Sequence, residues 1–209
     1  MNYQFFIDKI KQANSRSLPG IEAHQEMTPK NRPLKRQDID NIHEYRESAV
    51  AIVCYPKNNE IYSLVVQRPT YDGIHGGQIS FPGGKMEQFD ASFEETARRE
   101  TFEEIGWRLD ASELLLELTE MYIPVSRFIV HPYVYFTQEQ PFIPDEREVD
   151  SIIEYPLEIL LNPESRKTTH IKFANGMTLK DVPYFAIEEK IVWGATSIIL
   201  NELKHIFMR

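Results

Sequence analysis

The sequence predicts one domain of the α/β or α+β class with a mixed sheet, on three observations. Strand-like and helix-like segments intermingle along 209 residues, a length that suits one domain with a sizeable core. The apolar runs Ala49–Tyr55 and Ile61–Gln67 flank the turn PKNNE, which is typical of a β-hairpin. Apolar residues recur at helical spacing over 195–207, which predicts a C-terminal amphipathic helix.

The N-terminal part is predicted to be an arm. Residues 1–18 have a helical pattern, and Pro19-Gly20 should end that helix. The polar stretch 20–47 contains Pro29 and Pro33 and predicts an irregular arm followed by a short helix. We therefore expect a helical or irregular N-terminal arm over residues 1–47 and the main domain over residues 48–209.

The main domain is predicted to continue in the same mixed manner. A glycine-rich loop over 71–84 precedes a helix over about 93–105, and the run Ser151–Tyr155 leads into a short helix. Further strands are predicted at 114–123, 128–137, 169–173 and 183–187. No internal repeat or low-complexity tract interrupts this order.

Composition excludes several classes of protein. The net charge of −9 argues against nucleic-acid binding, which depends on Lys and Arg facing phosphates. No apolar run approaches the roughly 20 residues of a membrane span, and the N-terminus lacks the apolar core of a signal peptide. The single cysteine, Cys54, excludes an internal disulfide and should be a buried apolar residue rather than a nucleophile. We expect a cytoplasmic protein.

The segment 81–107 carries the pattern from which chemistry can be inferred. Ser92 followed by Glu95 forms a capping box, and Gly106 occupies the position expected of a helix-ending glycine. Inside the helix, Glu100, Glu103 and Glu104 share one face, where they repel one another by roughly 3 kcal/mol per pair. The alternatives are a solvated acidic face or a site for a hard divalent cation such as Mg²⁺ or Mn²⁺. The capped helix and the preceding glycine turn favour the cation site.

The same segment resembles the Nudix box, a glycine and an acidic residue that lead into R-E-x-x-E-E-x-G. The matching residues are Gly84, Asp90, Arg99-Glu100, Glu103-Glu104 and Gly106. The gap between Asp90 and Arg99 is one residue longer than in the commonest box. Asp90, Glu87 and Glu94 all stay open as the residue that fills the acidic position.

The flanking segments resemble one branch of that family, the coenzyme A pyrophosphatases. The residues that fall in register before the box are Arg68, His75, Gly77, Gln78 and Phe81–Gly84. The stretch VWGATSIILNEL, residues 192–203, is similar to the closing helix of the branch. Gly73 stands where the branch has a second arginine.

The resemblance implies a Nudix α/β/α sandwich with a mixed, partly curled sheet, and metal-dependent cleavage of a pyrophosphate linkage in a small nucleotide-type substrate. Coenzyme A is the favoured substrate, with 3′,5′-ADP and 4′-phosphopantetheine as products. The alternatives are another nucleoside diphosphate derivative, such as ADP-ribose or a dinucleotide, and a Nudix module that binds nucleotides without cleaving them. The adjacent apolar side chains of the N-terminal helix also make a homodimer one possible assembly.

The resemblance also assigns roles to residues. The metal ligands it implies are Glu100, Glu104, Glu103 and the carbonyl of Gly83. Glu103 or Glu148 serves as the general base, and Arg99 orients a carboxylate of the metal site. The substrate-binding residues it implies are Arg68, His75, Gln78 and Gly84. For Glu148 the alternative is a solvated charge cluster, for Arg68 an exposed strand-end charge, and for His75 a residue that only holds the loop.

Overall fold

The computed structural model describes residues 1–29, 45–70, 77–173 and 176–209. The helices of these residues are α1 Tyr3–Asn14, α2 Gly20–Met27, α3 Phe93–Ile105 and α4 Ala195–Met208. The strands are β1 Arg46–Lys57, β2 Glu60–Gln67, β3 Ile79–Ser80, β4 Gly83–Lys85, β5 Leu114–Glu117, β6 Met121–Ile123, β7 Phe128–Phe136, β8 Ser151–Pro156, β9 Arg166–Lys172, β10 Thr178–Ile187 and β11 Lys190–Trp193.

The main sheet is mixed and does not close into a barrel. Its order is β3-β2-β1-β7-β5, with β4 paired to β1, β6 to β7 and β8 to β2. β1 and β7 are parallel, and the other pairs are antiparallel. The predicted hairpin is confirmed, since β1 and β2 meet at Asn58 and Asn59, whose φ angles of 53° and 63° suit a tight turn.

Two apolar cores lie on opposite faces of this sheet because side chains alternate along each strand. On β1, Ala49, Ala51 and Val53 face α3, together with Trp107. Ile52 and Cys54 face the other core, which includes α1, α2 and α4. The layers are therefore helix, sheet and helix, and the prediction that Cys54 is buried is confirmed.

A second, three-stranded sheet has the order β11-β10-β9 and is antiparallel. Phe185, Ile187 and Val192 belong to the same core as α4. Trp193, at the end of β11, is half-buried and meets Phe173 edge-on, with ring centroids 6.1 Å apart. Strand β11 of this sheet contacts β3 of the main sheet.

The structure corrects two expectations for local structure. Residues 20–27 form helix α2 rather than an irregular arm, because the buried carboxylate of Glu202 accepts a hydrogen bond from the Gly20 N–H at the helix start. The predicted strand 114–123 is two strands, because Thr119 turns away from β7 to donate to Glu202. The short helix expected in the rest of the arm lies outside the described residues.

Other expectations are met. A short 3-10 turn, Leu157–Leu161, follows β8 where a short helix was predicted. The predicted loop over 71–84 differs in its described part, because β3 forms within it and β4 begins at its end. In the part of the chain that the structure describes, no helix is long and apolar enough to cross a membrane. The division of the chain at residue 47 stays a prediction.

Candidate active site

Two glycines bring strand β4 against its neighbours. β4 pairs with β1, with Gly83 opposite Val50 and Gly84 opposite Ala49. A Cβ atom on Gly83 would lie 2.3 Å from the carbonyl oxygen of Ala49, and one on Gly84 would lie 2.4 Å from Cδ of Glu100. Only glycine therefore allows the backbone of β4 to approach both β1 and the carboxylate of Glu100.

Helix α3 begins and ends where the sequence predicts. The Ser92 side chain accepts a hydrogen bond from the Glu95 N–H at 3.1 Å, and Glu95 accepts one from the Ala91 N–H at 2.8 Å. Gly106 ends the helix in the left-handed conformation, with a φ of 78°. Ala97, Thr101 and Ile105 are buried on the sheet side, so the helix is fixed in position and rotation.

Three carboxylates meet beside β4. One oxygen each of Glu100, Glu104 and Glu148 lies within 4.8 Å of the other two. Glu104 is 1% exposed, and burial raises its pKa to about 8, although the Arg68 guanidinium acts in the opposite direction. Burial also raises the pKa of Glu100. Glu100 and Glu104 therefore hold their protons more tightly than exposed carboxylates do.

Glu148 reaches the cluster because its loop is attached to the end of α3. The Ile143 N–H donates to the Ile105 carbonyl at 2.9 Å, and the Asp145 N–H donates to the Glu104 carbonyl at 3.0 Å. The Glu148 N–H then donates to the Asp145 carbonyl at 2.9 Å. Helix carbonyls that have no partner within α3 thus hold the loop that carries the third carboxylate.

Arg99 connects the helix to the loop before it. Its guanidinium donates to both carboxylate oxygens of Asp90 at 2.9 Å and to Glu100 at 2.7 Å. Hydrogen bonds from Arg99 are the main reason that the pKa of Asp90 falls to about 2. The predicted orienting role of Arg99 therefore has a geometric basis, because one guanidinium fixes Glu100 relative to Asp90.

Glu103 does not join the three-carboxylate cluster. Its side chain is 52% exposed and accepts a hydrogen bond from Arg99 at 2.8 Å. The carbonyl of Gly83 was predicted as a ligand. The N–H of the same residue donates to Oε2 of Glu104 at 3.1 Å and so positions that carboxylate. The roles predicted for Glu103 and for the Gly83 carbonyl stay predictions.

The structure locates three of the four predicted substrate-binding residues. Arg68 is half-buried, and its Nη1 lies 4.0 Å from Oε1 of Glu104. Gln78 is half-buried at the entrance to β3, where its carbonyl accepts a hydrogen bond from the Arg68 N–H at 2.9 Å. Gly84 lies against Glu100, as described above. His75 lies outside the described residues, and so does Gly73.

The donor set suits a hard divalent cation. Oε1 of Glu104 is buried and has no hydrogen-bond partner in the described part of the chain, although buried carboxylate oxygens normally have one. Together with Glu100 and Glu148 it offers an all-oxygen set, which Mg²⁺ and Mn²⁺ prefer over softer ligands. Glu100, Glu104 and Glu148 are therefore the residues that fit a metal ion.

Comparison of the sequence with known proteins identifies the family of this chain. The family described as NUDIX domain matches residues 45–175, more than half of the chain. The chain belongs to the Nudix family. It is 33% identical over 142 residues to the human protein named mitochondrial coenzyme A diphosphatase NUDT8; this match covers 66% of the chain and 58% of the human protein. It is 30% identical over 174 residues to the uncharacterized Nudix hydrolase NudL of Pectobacterium atrosepticum, covering 78% of the chain and 83% of that protein.

Solved structures agree on the Nudix fold. A MutT/nudix family protein from Enterococcus faecalis superposes with a TM-score of 0.56 at 12% identity, covering 97% of this chain and 74% of that one. The MutT protein of Methanosarcina mazei Go1 superposes with a TM-score of 0.52 at 17% identity, covering 79% of this chain and 96% of that one. Because the sequence identities are low, these two structures support the fold alone. The predicted mixed α/β sandwich is confirmed, and the chain is classed with the Nudix hydrolases.

Two features of the Nudix box were not evident from the sequence. Asp90 is paired with Arg99 of the box, whereas Glu94 accepts a hydrogen bond from the Tyr135 hydroxyl at 2.9 Å, and the residue that fills the acidic position stays a prediction. Asp90 also accepts a hydrogen bond from the buried hydroxyl of Thr96 at 2.9 Å. Thr96 carried no signal in the sequence, because a threonine one turn into a helix is equally consistent with packing.

Proposed function

We propose that this chain hydrolyses a pyrophosphate linkage in a nucleotide-type substrate, with coenzyme A as the favoured substrate. The observation that carries the proposal is the buried Oε1 of Glu104, which accepts no hydrogen bond from the described residues and lies within reach of carboxylate oxygens of Glu100 and Glu148. Three carboxylates held this close destabilise one another unless a divalent cation lies between them. Pyrophosphates carry the complementary negative charge, which such a cation attracts.

Support for coenzyme A comes from sequence and from relatives. The human relative is named a coenzyme A diphosphatase, but the match covers only 58% of its length. Arg68, Gln78 and Phe81–Gly84 stand in the register of the coenzyme A branch. Gly73 replaces an arginine of that branch, which keeps ADP-ribose and dinucleotides as the second choice of substrate.

In the proposed reaction, water attacks one phosphorus of the P–O–P bridge and a phosphate ester leaves. For coenzyme A and one water the products are 3′,5′-ADP and 4′-phosphopantetheine. A bound Mg²⁺ or Mn²⁺ would lower the pKa of the water and neutralise charge on the phosphate oxygens. Glu100 and Glu104 would hold the cation, and Arg99 would keep Glu100 in place.

The proposed reaction needs a general base, a side chain that accepts a proton from the attacking water. Glu148 is our first choice, because it is exposed on a loop at the edge of the cluster and can contact both solvent and substrate. Glu103 is the second choice, because its ion pair with Arg99 directs it away from the other carboxylates. Arg68, next to Glu104, would pair with a phosphate oxygen once substrate is bound.

The test is product analysis by chromatography with Mg²⁺ or Mn²⁺, each reaction repeated with EDTA. The substrates are coenzyme A, ADP-ribose, NADH and diadenosine polyphosphates. Metal-dependent release of 3′,5′-ADP from coenzyme A is the expected result. Preference for another substrate would reject coenzyme A and keep the chemistry. No turnover of any substrate would reject the enzyme and favour a nucleotide-binding module.

A further inference from the structure

The loop that carries Glu148 is attached to the end of α3 at several successive positions. Its contacts run in reverse order along the two segments, so the loop lies antiparallel to residues 104–108. In the chain order of the loop, the contacts are Gln140 with Arg108, Phe142 with Trp107, Ile143 with Ile105 and Asp145 with Glu104. The loop is therefore in register with a segment that begins at Glu104, a member of the carboxylate cluster.

Phe142 attaches this loop to the core through an aromatic stack. Its ring lies at 8° to the ring of Trp107, with 4.9 Å between the centroids, which is the offset arrangement that aromatic pairs prefer. Trp107 is fully buried and meets the ring of Tyr55 edge-on, also at 4.9 Å. Its Nε1 has no hydrogen-bond partner among the described residues. Ring packing rather than hydrogen bonding therefore fixes the indole on which Phe142 rests.

Contacts on both sides of Phe142 keep the loop in this register. The Gln140 side chain accepts a hydrogen bond from the Arg108 N–H at 3.1 Å and donates one to the Arg108 carbonyl at 3.0 Å. On the other side, a Cβ atom on Gly106 would lie 2.7 Å from Cβ of Ile143. The glycine that ends α3 thus also lets the loop pass directly over the helix end.

Glu148 is held in place through the backbone of Asp145. The Asp145 N–H donates to the Glu104 carbonyl at 3.0 Å, and the Asp145 carbonyl accepts hydrogen bonds from the N–H groups of Glu148 and Val149, both at 2.9 Å. Val149 is 4% exposed and packs in the same core as Trp107. The Glu148 side chain is exposed, so packing around it does not fix its position. Its place beside Glu104 depends on how the loop is attached.

We infer that Phe142, stacked on Trp107, is a positioning residue that holds Glu148 at the carboxylate cluster. It acts through the loop and not by contact with substrate. This inference rests on the proposed function, because it concerns the metal site of the same reaction. Without the stack, hydrogen bonds would be the main attachment of residues 140–145 to α3, and the third carboxylate would be held less firmly beside Glu100 and Glu104.

The test measures Mn²⁺ binding by isothermal titration calorimetry, which requires no turnover. Phe142→Ala should weaken Mn²⁺ binding about tenfold, the lower end of the loss expected when a residue that supports a metal ligand is removed. Phe142→Leu keeps apolar bulk but loses the flat ring, and it should weaken binding in the same direction. Phe142→Tyr keeps the ring and should bind Mn²⁺ like the wild type.

A double-mutant cycle separates positioning from general damage to the fold. In Glu148→Ala the carboxylate that Phe142 positions is absent, so adding Phe142→Ala should weaken Mn²⁺ binding by less than about twofold more. The inference is overturned if Phe142→Ala causes the same loss with and without the Glu148 carboxylate. It is also overturned if Phe142→Ala alone binds Mn²⁺ like the wild type.

Phe173→Ala is the matched control, because it removes a half-buried ring that meets the other tryptophan of the chain. Phe173 follows β9, and its ring lies edge-on to Trp193, with 6.1 Å between the centroids. This variant should bind Mn²⁺ like the wild type. An equal loss in Phe173→Ala would show that the loss of any such aromatic contact suffices, and it would overturn the inference.

The binding test is separate from the test of the proposed function. A protein that binds Mn²⁺ in a manner that depends on Phe142 through Glu148, but hydrolyses none of the substrates, would support the positioning role and reject the enzyme. Hydrolysis of coenzyme A together with a Phe142→Ala effect that is independent of Glu148 would reject the positioning role alone. A wild type that binds no Mn²⁺ would reject both.

Discussion

Glu104 is almost fully buried, yet one of its carboxylate oxygens accepts no hydrogen bond within the described residues. Burying a carboxylate without full pairing destabilises the charged form, which is why burial raises its pKa to about 8. A cation that binds there would remove this cost. At the scale of one residue, the Arg68 guanidinium 4.0 Å away offsets the buried charge of Glu104 only in part.

Replacing Glu104 by Gln should lower turnover by at least about 10²-fold, because an anionic ligand is lost while side-chain size is kept. Steady-state kinetics with Mn²⁺ and calorimetric titration of Mn²⁺ measure the two effects, and both affinity and turnover should fall. Glu22→Gln, an exposed change on α2, is the control and should match the wild type. Near-normal turnover in Glu104→Gln would reject the assignment of the cluster.

Gly84→Ala should also inactivate the protein, for a steric reason. The new Cβ would lie 2.4 Å from Cδ of Glu100, so this carboxylate must move, and displacements near 1 Å cost about 10²-fold in rate. Gly176→Ala is the control, because its Cβ meets no atom of the described residues within 4 Å and its φ of 83° affects stability alone. Equal turnover in the two variants would contradict the expectation.

Helix α3 and the loop before it form one unit at the scale of elements. Ser92 caps the helix start, Gly106 ends the helix, and Arg99 joins it to Asp90 through two hydrogen bonds. Arg99 also donates to the Lys85 carbonyl at 3.1 Å, so β4 belongs to the same unit. The position of the carboxylates therefore depends on residues outside the carboxylate cluster itself.

Asp90→Asn should loosen this unit. Asparagine offers Arg99 one neutral acceptor in place of a buried carboxylate, so the free energy of unfolding should fall by about 2–3 kcal/mol. Urea denaturation measures this change, and turnover should fall about tenfold because Glu100 is held less firmly. The exposed Asp8→Asn on α1 should change stability by less than about 0.5 kcal/mol. If Asp90→Asn lowered the free energy of unfolding no more than Asp8→Asn does, the proposed role of Asp90 in this unit would be wrong.

At the scale of the whole molecule, Glu202 joins three parts of the fold. This buried carboxylate of α4 accepts hydrogen bonds from His24 at 2.9 Å, from the Gly20 N–H at 3.1 Å and from the Thr119 hydroxyl at 2.6 Å. Burial alone would raise the pKa of Glu202, but the hydrogen bonds from His24 and Thr119 bring it below its usual value. The N-terminal helix α2 is thereby attached to the core.

The lowered pKa of Glu202 determines how stability depends on pH. Because the charged form is favoured in the folded state, its contribution is present above about pH 4.5, the value for an unperturbed glutamate, and is lost as the pH falls below it. Glu202→Gln should therefore lower the melting temperature by about 6–12 °C at pH 7, for a loss near 3 kcal/mol. The difference from the wild type should shrink below pH 4. Calorimetry from pH 3 to 7 measures the difference in melting temperature between the two proteins. A difference that stays constant over this range would contradict the lowered pKa of Glu202.

The sequence by itself determined the local features. Patterns of a few neighbouring residues predict where α3 begins and ends, which face of α3 its glutamates share, and where the hairpin lies. The same kind of pattern indicates the Nudix family. Such patterns suffice because residue spacing fixes the geometry along one element. The proximity of Glu100 and Glu104 is local in this sense, because one helical turn separates them. Family resemblance supplied the rest of the expected chemistry.

Only the tertiary structure decided which distant groups meet. Glu148 joins Glu100 and Glu104 because its loop bonds to carbonyls at the end of α3, and helix α2 begins at Gly20 because Glu202, 182 residues away, accepts its N–H. Lys190 reaches Gln67 across two sheets in the same way. Sequence spacing contains no information about such contacts, since they depend on how complete elements pack, and packing is fixed by the whole set of buried side chains.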